Sequence, residues 1–334
     1  MITENQYIKQ YPEMMSGKTV LYCHGFASSG QSGTVKRFRE VMPNARVIAP
    51  DLPVHPQEAI ALLHRICDEE QPDLIIGTSM GGMYAEQLYG YDRICVNAAL
   101  EMGETMKAHG MTGTQQFQNP RLDGIQEFYV DKALVKEYKE QSEQRFKGAT
   151  PEELRHVYGL FGDKDDVVDT YDMFHGVYPQ ALHFHGEHRM NDQSFMHSVV
   201  PVIRWIDDKQ EKRQRPIIYI GMESLTPCPL LMERELKPFP SCQKAIRILI
   251  EHYQVYFVGE DATAESWLEE YIGVPAWRHL IVTWRRDLLY GDYLIQKGEV
   301  NEDADTMATL IEFGSDTFKT WDDIIEYFSR LGGQ

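Results

Sequence analysis

A serine alcohol is a poor nucleophile at neutral pH. It attacks a carbonyl only where a base within hydrogen-bond reach takes its proton and an acid orients that base. Ser79 lies in Gly77-Thr78-Ser79-Met80-Gly81, a G-x-S-x-G pattern. A short apolar run, Leu74-Ile75-Ile76, precedes it, and a helix-forming stretch, Met83 to Leu88, follows. In that strand-turn-helix context the pattern reads as a nucleophile elbow, with Ser79 at its tip. The glycines let backbone pass close to backbone in the tight turn. The first helix amides then point toward the space where negative charge would develop. The competing reading is a tight glycine turn with an idle serine.

In such a sheet the acid and base follow the serine in the order Ser, Asp or Glu, His. The acid is expected after the strand Val157 to Phe161, in the loop Gly162-Asp163-Lys164-Asp165-Asp166-Val167-Val168-Asp169. The spacing G-x-x-D-x-x-V points to Asp165, with Asp166 and Asp163 open as alternatives. The base is expected after the next strand. His183 and His185 fall on that strand, where packing roles are commoner. His188 falls in the loop beyond it and is the favoured base. His197 lies on the following helix and reads as structural. The oxyanion hole needs two backbone amides. Met80, just after the serine, supplies one. Phe26, after the strand ending Leu21-Tyr22-Cys23 and the bend His24-Gly25, supplies the other. His24 reads as an anchor of that bend.

These elements require a parallel sheet to carry them. Strand signals at Thr19–Cys23, Arg46–Ala49, Leu74–Ile76, Ile94–Asn97, Val157–Phe161 and Ala181–Phe184 alternate with helical stretches such as Gln57–Glu69 and Gly82–Leu88. Short apolar strands alternating with helices predict an α/β fold with both sheet faces covered. Residues 101–150 break the alternation: they are polar, rich in Met, Gln and Lys, and carry no strand signal. A polar helix is expected at Asp131–Phe146. An insertion there would stand above the strand ends, where ligands bind, so it reads as a helical lid.

His24-Gly25-Phe26-Ala27-Ser28-Ser29, the elbow around Ser79, and Asn97-Ala98-Ala99-Leu100 resemble the small bacterial α/β-hydrolase esterases of the YqiA/YcfP type over about residues 18–208. The resemblance implies hydrolysis of carboxylic esters of small acyl groups through an acyl-serine intermediate, with no cofactor and no metal. Thioester or amide cleavage would use the same site logic. A non-catalytic binding or regulatory module is the alternative from another class.

A charged run, Asp207 to Arg215, ends at Pro216 and has the composition of a helix end running into a linker. The expected domains are therefore 1–212 and 213–334, which suits a chain of 334 residues. In the second domain Ile217–Ile220, Val255–Val258, His279–Thr283 and Thr309–Glu312 read as strands. Cys242–His252, Ala264–Tyr271 and Trp321–Leu331 read as helices. Ile218 to Glu223, Tyr290 to Ile295 and Trp321 to Phe328 resemble the haloacid-dehalogenase-like 5′-nucleotidases of the deoxyribonucleotidase type. That family carries a D-x-D pair after its first strand, and here Gly221 and Glu223 stand there. Arg286 matches the family's basic position, while its later acidic pair falls on Gln296 and Lys297. Glycine cannot attack phosphorus, and too few carboxylates remain to hold magnesium. The resemblance thus implies a non-catalytic, Rossmann-like second domain. Its possible uses are homo-oligomerisation, covering the esterase site, ligand binding or packing alone.

Composition agrees with a globular chain: 43% of residues are hydrophobic and 25% charged. The formal net charge of −18 would repel phosphate backbones, so nucleic acid is not an expected partner. A small-molecule ester is. The five cysteines are odd in number, widely spaced and without a C-x-x-C, the pattern of reduced thiols in a cytoplasm. The N-terminus has no signal-peptide pattern, and no apolar run is long enough to span a bilayer, so no membrane contact is expected.

Overall fold

The computed structural model describes residues 5, 7–227, 237–260, 264–273, 279–298 and 308–331. Cys228 lies outside them. The chain divides into two compact units, Met1–Asp207 and Asp208–Gln334. The helix Val200–Glu211 runs across that division, and the sequence expectation had placed it near residue 212.

The first unit is built on a six-stranded parallel sheet. Its strands are β1 (Thr19–Cys23), β2 (Arg46–Ile48), β3 (Leu74–Thr78), β4 (Arg93–Val96), β7 (Val157–Gly162) and β8 (Ala181–Phe184), with β5 and β6 in the insertion. The spatial order is β2-β1-β3-β4-β7-β8. The central strands are buried along nearly their whole length, because helices cover both faces. Their apolar runs are long enough to define them without alternation. The helices Gly33–Val41, Pro56–Glu70, Met80–Glu86 and Tyr171–His175 each turn an apolar side inward.

This sheet brings the loops of interest to one edge. Cys23 pairs with Gly77, Thr78 with Val96, and Phe161 with His183. The bend after β1, the elbow after β3, and the loops after β4, β7 and β8 therefore all leave from the carboxyl ends of neighbouring strands. That is where open α/β sheets bind ligands.

The insertion departs from the expected run of helices. The helices Met102–Ala108 and Lys132–Ser142 flank an antiparallel ribbon, β5 (Gly113–Gln116) and β6 (Glu127–Val130). The strand β5 carries no apolar signal, whereas β6 holds the short run Phe128-Tyr129-Val130, a strand signal the expectation of a helical insertion passes over. The second helix starts at an N-cap, Asp131, whose side chain accepts from Leu134 N at 2.8 Å.

Hydrogen bonds fasten the stretch between the two ribbon strands to the main body. Gln118 N donates to Ala27 O at 2.8 Å, and Ser29 Oγ donates to Pro120 O at 2.7 Å. Asp51 accepts from Gly30 N through one oxygen at 2.8 Å and from Leu122 N through the other at 2.7 Å.

The second unit is a five-stranded parallel sheet of order β11-β10-β9-β12-β13. Its strands are β9 (Ile217–Gly221), β10 (Gln254–Gly259), β11 (Leu280–Val282), β12 (Tyr293–Lys297) and β13 (Thr309–Phe313). The strand β12 was not among those expected: its second half, Gln296-Lys297, is polar. Helices at Cys242–His252 and Trp321–Arg330 pack on this sheet. Trp321 is fully buried and donates through Nε1 to Ser224 O at 2.9 Å.

Candidate active site

The elbow is held by close backbone packing. A Cβ on Gly77 would lie 2.1 Å from Gly81 O, and one on Gly81 would lie 2.0 Å from Cys23 O. Neither position accepts a larger residue without moving backbone. Ser79 itself has φ 54° and ψ −119°, a conformation that non-glycine residues seldom adopt. Ser79 N donates to Val96 O at 2.9 Å, and Ser79 O accepts from Ala99 N at 3.0 Å. The Ser79 backbone is thus fixed by the end of β4 and the loop beyond it.

The structure brings Ser79, His188 and Asp165 together. His188 Nε2 lies 3.0 Å from Ser79 Oγ, and His188 Nδ1 lies 2.8 Å from Asp165 Oδ2. An ionised carboxylate only accepts, so the network puts the imidazole proton on Nδ1 and leaves Nε2 to accept from the serine. The Asp165 side chain is 4% exposed and that of His188 17%. Asp165 Oδ1 also accepts from Val167 N at 2.8 Å and Val168 N at 2.9 Å. Burial pushes the Asp165 carboxyl up. The hydrogen bonds from His188, Val168 and Val167 outweigh that and hold it below the ordinary aspartate value.

The other acids and histidines stand apart from this chain of bonds. Asp163 is exposed; it pairs with His185 Nδ1 at 2.9 Å and accepts from Gly186 N at 2.9 Å. Asp166 is exposed on the loop surface. His183 lies against Tyr171 with ring centroids 3.8 Å apart and the rings tilted, and burial lowers its pKa. His197 lies in the helical turn Phe195–Val199. His24 is buried. It accepts from Leu52 N through Nε2 at 3.0 Å, and its Nδ1 donates to Gly25 O at 2.8 Å. Burial lowers its pKa to about 4, so it stays neutral and ties the Gly25 bend to the loop after β2.

The amides of Phe26 and Met80 donate to no protein acceptor among the described residues. Met80 is the first residue of its helix, where an amide has no partner within the helix. Beside these two residues lies a narrow cleft whose walls include Phe26, Met80, Val54, Phe117, Phe128 and Tyr138. The ribbon region supplies Phe117 and Phe128. Phe128 meets Phe26 edge-on at 5.3 Å, and its ring lies tilted against Phe117 at 4.7 Å. The cleft is small, with room for little more than one water beside the two amides.

Asn97, expected as the last residue of the strand Ile94–Asn97 and as part of a resemblance, lies just beyond that strand, which ends at Val96. The structure sets it at the centre of the site's supports. Its side chain bonds to both the aspartate loop and the histidine loop. The signal available in the sequence was an asparagine just after a buried strand, a residue type that tolerates tight backbone turns.

In the second unit Glu223 forms a two-pronged ion pair with Arg286, at 2.6 and 2.8 Å. Arg286 also reaches Gln296 Oε1 at 3.3 Å. The Glu223 carboxylate lies over Gly221: a Cβ there would be 2.1 Å from its Oε1. Magnesium needs carboxylate oxygens facing a phosphate. The Glu223 carboxylate is already neutralised by arginine, so these residues do not fit the metal. Among the described residues no three His, Cys, Asp or Glu side chains converge as a metal site elsewhere.

The first unit has the parallel-sheet architecture of the α/β-hydrolase fold; the second is a smaller Rossmann-like α/β domain. Residues 19–174 match the model of an uncharacterised protein family, UPF0227. The chain is also 25% identical over 152 residues to a protein of Vibrio phage KVP40 named "Putative 5′(3′)-deoxyribonucleotidase", covering 36% of this chain and 89% of that relative. Among solved structures, Est1E from Butyrivibrio proteoclasticus with ferulic acid bound is similar over 61% of this chain and 92% of its own, with TM-score 0.40 and 14% identity. A thioesterase domain from the curacin biosynthetic pathway is similar over 59% of this chain and 92% of its own, with TM-score 0.35 and 16% identity. The chain thus resembles a YqiA/YcfP-type hydrolase joined to a 5′-nucleotidase-like domain. No described helix is long and apolar enough to cross a membrane.

Proposed function

We propose that the first domain is a serine hydrolase that cleaves carboxylic esters of small acyl groups. Ser79 Oγ attacks the ester carbonyl while His188 Nε2 takes its proton. Asp165 holds the imidazole in the required tautomer and stabilises its positive charge. The amides of Phe26 and Met80 donate to the oxyanion. His188 returns the proton to the leaving alcohol, and the acyl group stays on Ser79. A water, deprotonated by the same imidazole, then releases the acid.

The two hydrogen bonds through His188, at 3.0 Å to Ser79 and 2.8 Å to Asp165, support this reading most. For the second domain we propose no phosphoryl transfer, on the strength of Gly221 and the engaged Glu223.

The test is labelling with a fluorophosphonate probe and turnover of short-chain p-nitrophenyl esters, on wild type and Ser79→Ala. Labelling should vanish in the variant and turnover should fall by about 10⁶-fold, to whatever binding and the amides alone provide. Folded wild type that takes no label would refute the assignment.

A further inference from the structure

We infer that Asn97 is the positioning residue that sets the catalytic histidine against the serine. This rests on the serine-hydrolase reading above. Asn97 follows β4 directly, on the strand beside the elbow. It is 1% exposed, so its amide has no water to fall back on. Every polar group of its side chain is used. Oδ1 accepts from Gly162 N at 2.7 Å, at the start of the aspartate loop. Nδ2 donates to Glu187 O at 3.1 Å and to His188 O at 3.0 Å, the carbonyl of the base itself. The partners fix the amide's orientation. One N–H faces the oxygen and two carbonyls face the nitrogen, so a flipped amide would oppose like groups at all three contacts.

The backbone completes the connection. Asn97 N donates to Leu160 O at 2.8 Å, and its φ is 45°, in the left-handed region where asparagine is tolerated better than most residues. Val96 and Ala99, on either side of it in the chain, hold the two ends of the Ser79 peptide. One buried side chain therefore links the segment that grips the nucleophile to the loops that carry acid and base. The His188 ring is held at Nδ1 by Asp165. Its backbone is held by Asn97. A loop that loses the second hold lets the imidazole drift while leaving the chemistry intact in principle. Displacements of an ångström at a reacting centre are costly, on the order of 10²-fold in rate.

Three variants test this. Asn97→Asp keeps the size, the acceptor toward Gly162 and the tolerance for the left-handed backbone. It turns an oxygen toward the Glu187 and His188 carbonyls. Asn97→Gly relieves the backbone but removes the side chain. Asn97→Ala removes the side chain and leaves the backbone strained. The measurements are kcat and KM on a short-chain p-nitrophenyl ester, the fluorophosphonate labelling rate, and thermal midpoints. The expected result is a kcat lower by about 30- to 100-fold in all three, with KM within about threefold and labelling slowed in parallel. Activity in Asn97→Asp or Asn97→Gly within threefold of wild type would overturn the inference, because shape or backbone conformation alone would then suffice. Failure of all three to fold would also overturn it and assign Asn97 to the fold. Wild type that neither labels nor turns over would instead refute the hydrolase reading itself.

Discussion

At the scale of single residues, Asp165 joins stability to the proposed chemistry. Its carboxylate accepts three hydrogen bonds, two from amides of its own loop and one from His188. Asp165→Asn keeps the shape but offers His188 Nδ1 an ambiguous partner, and the tautomer that accepts from Ser79 is no longer enforced. The expected loss in kcat is about 10⁴-fold with the fold retained. The same residue predicts a pH dependence of stability. Its pKa in the folded chain lies below the ordinary value of 3.8, so the folded state prefers the ionised form. That preference stabilises the fold above the ordinary aspartate range and disappears as pH falls through the lowered value. The thermal midpoint of wild type should exceed that of Asp165→Asn by most near neutrality, and the gap should narrow below pH 4. A gap that stays constant down to pH 2 would contradict it. The choice among the aspartates could not be read from residue type. The spacing to Val168 pointed to Asp165, but Asp163 and Asp166 share its chemistry. They differ in where the loop turns its amides, and that depends on the tertiary course of the chain. Asn97 was hidden for the same reason, since its partners lie about 65 and 90 residues away.

At the scale of elements, the buried parallel strands of the first unit were legible, as were the less buried β2, β11 and β13, whereas the ribbon and β12 were not. A strand covered on both faces must be apolar throughout, as β3 and β4 are, and such runs stand out in a sequence. The ribbon β5-β6 buries one side only, so Gly113-Thr114-Gln115-Gln116 gives no apolar run. The same holds for the polar end of β12. The ribbon matters because its region walls the cleft. Phe128 packs edge-on against Phe26, whose amide is proposed to hold the oxyanion. Phe128→Ala would remove a ring from the cleft without touching the serine, histidine or aspartate. The ratio of kcat/KM for a hexanoyl ester over an acetyl ester should then rise about tenfold, the effect of a few accommodated methylenes. An unchanged ratio would place the acyl group elsewhere. The Asp51 latch, with one oxygen on Gly30 N and the other on Leu122 N, keeps that wall in register with the Gly25 bend.

At the scale of the whole molecule, the proposed chemistry falls unequally on the two parallel-sheet units. In the second, the end of β9 presents Gly221 where phosphoryl transfer of the family type would need a nucleophile. The carboxylate two residues on is turned back over it and closed by Arg286. The pair is about one-fifth exposed on each side, so it is partly shielded from water. Its hydrogen bonds raise the Arg286 pKa, in spite of burial. An arginine paired this way competes with any divalent cation for the same two oxygens, and the cation would have to displace a partner that is already desolvated. Millimolar Mg²⁺ should therefore leave the thermal midpoint unchanged and give no calorimetric binding signal. Ser79→Ala should hydrolyse no nucleoside monophosphate with or without the metal. Arg286→Met should lower the midpoint, because it leaves the Glu223 carboxylate part-buried and unpaired. It should still create no phosphatase, since a glycine occupies the attacking position. Magnesium-dependent release of phosphate by Ser79→Ala would reverse this assignment and make the chain bifunctional.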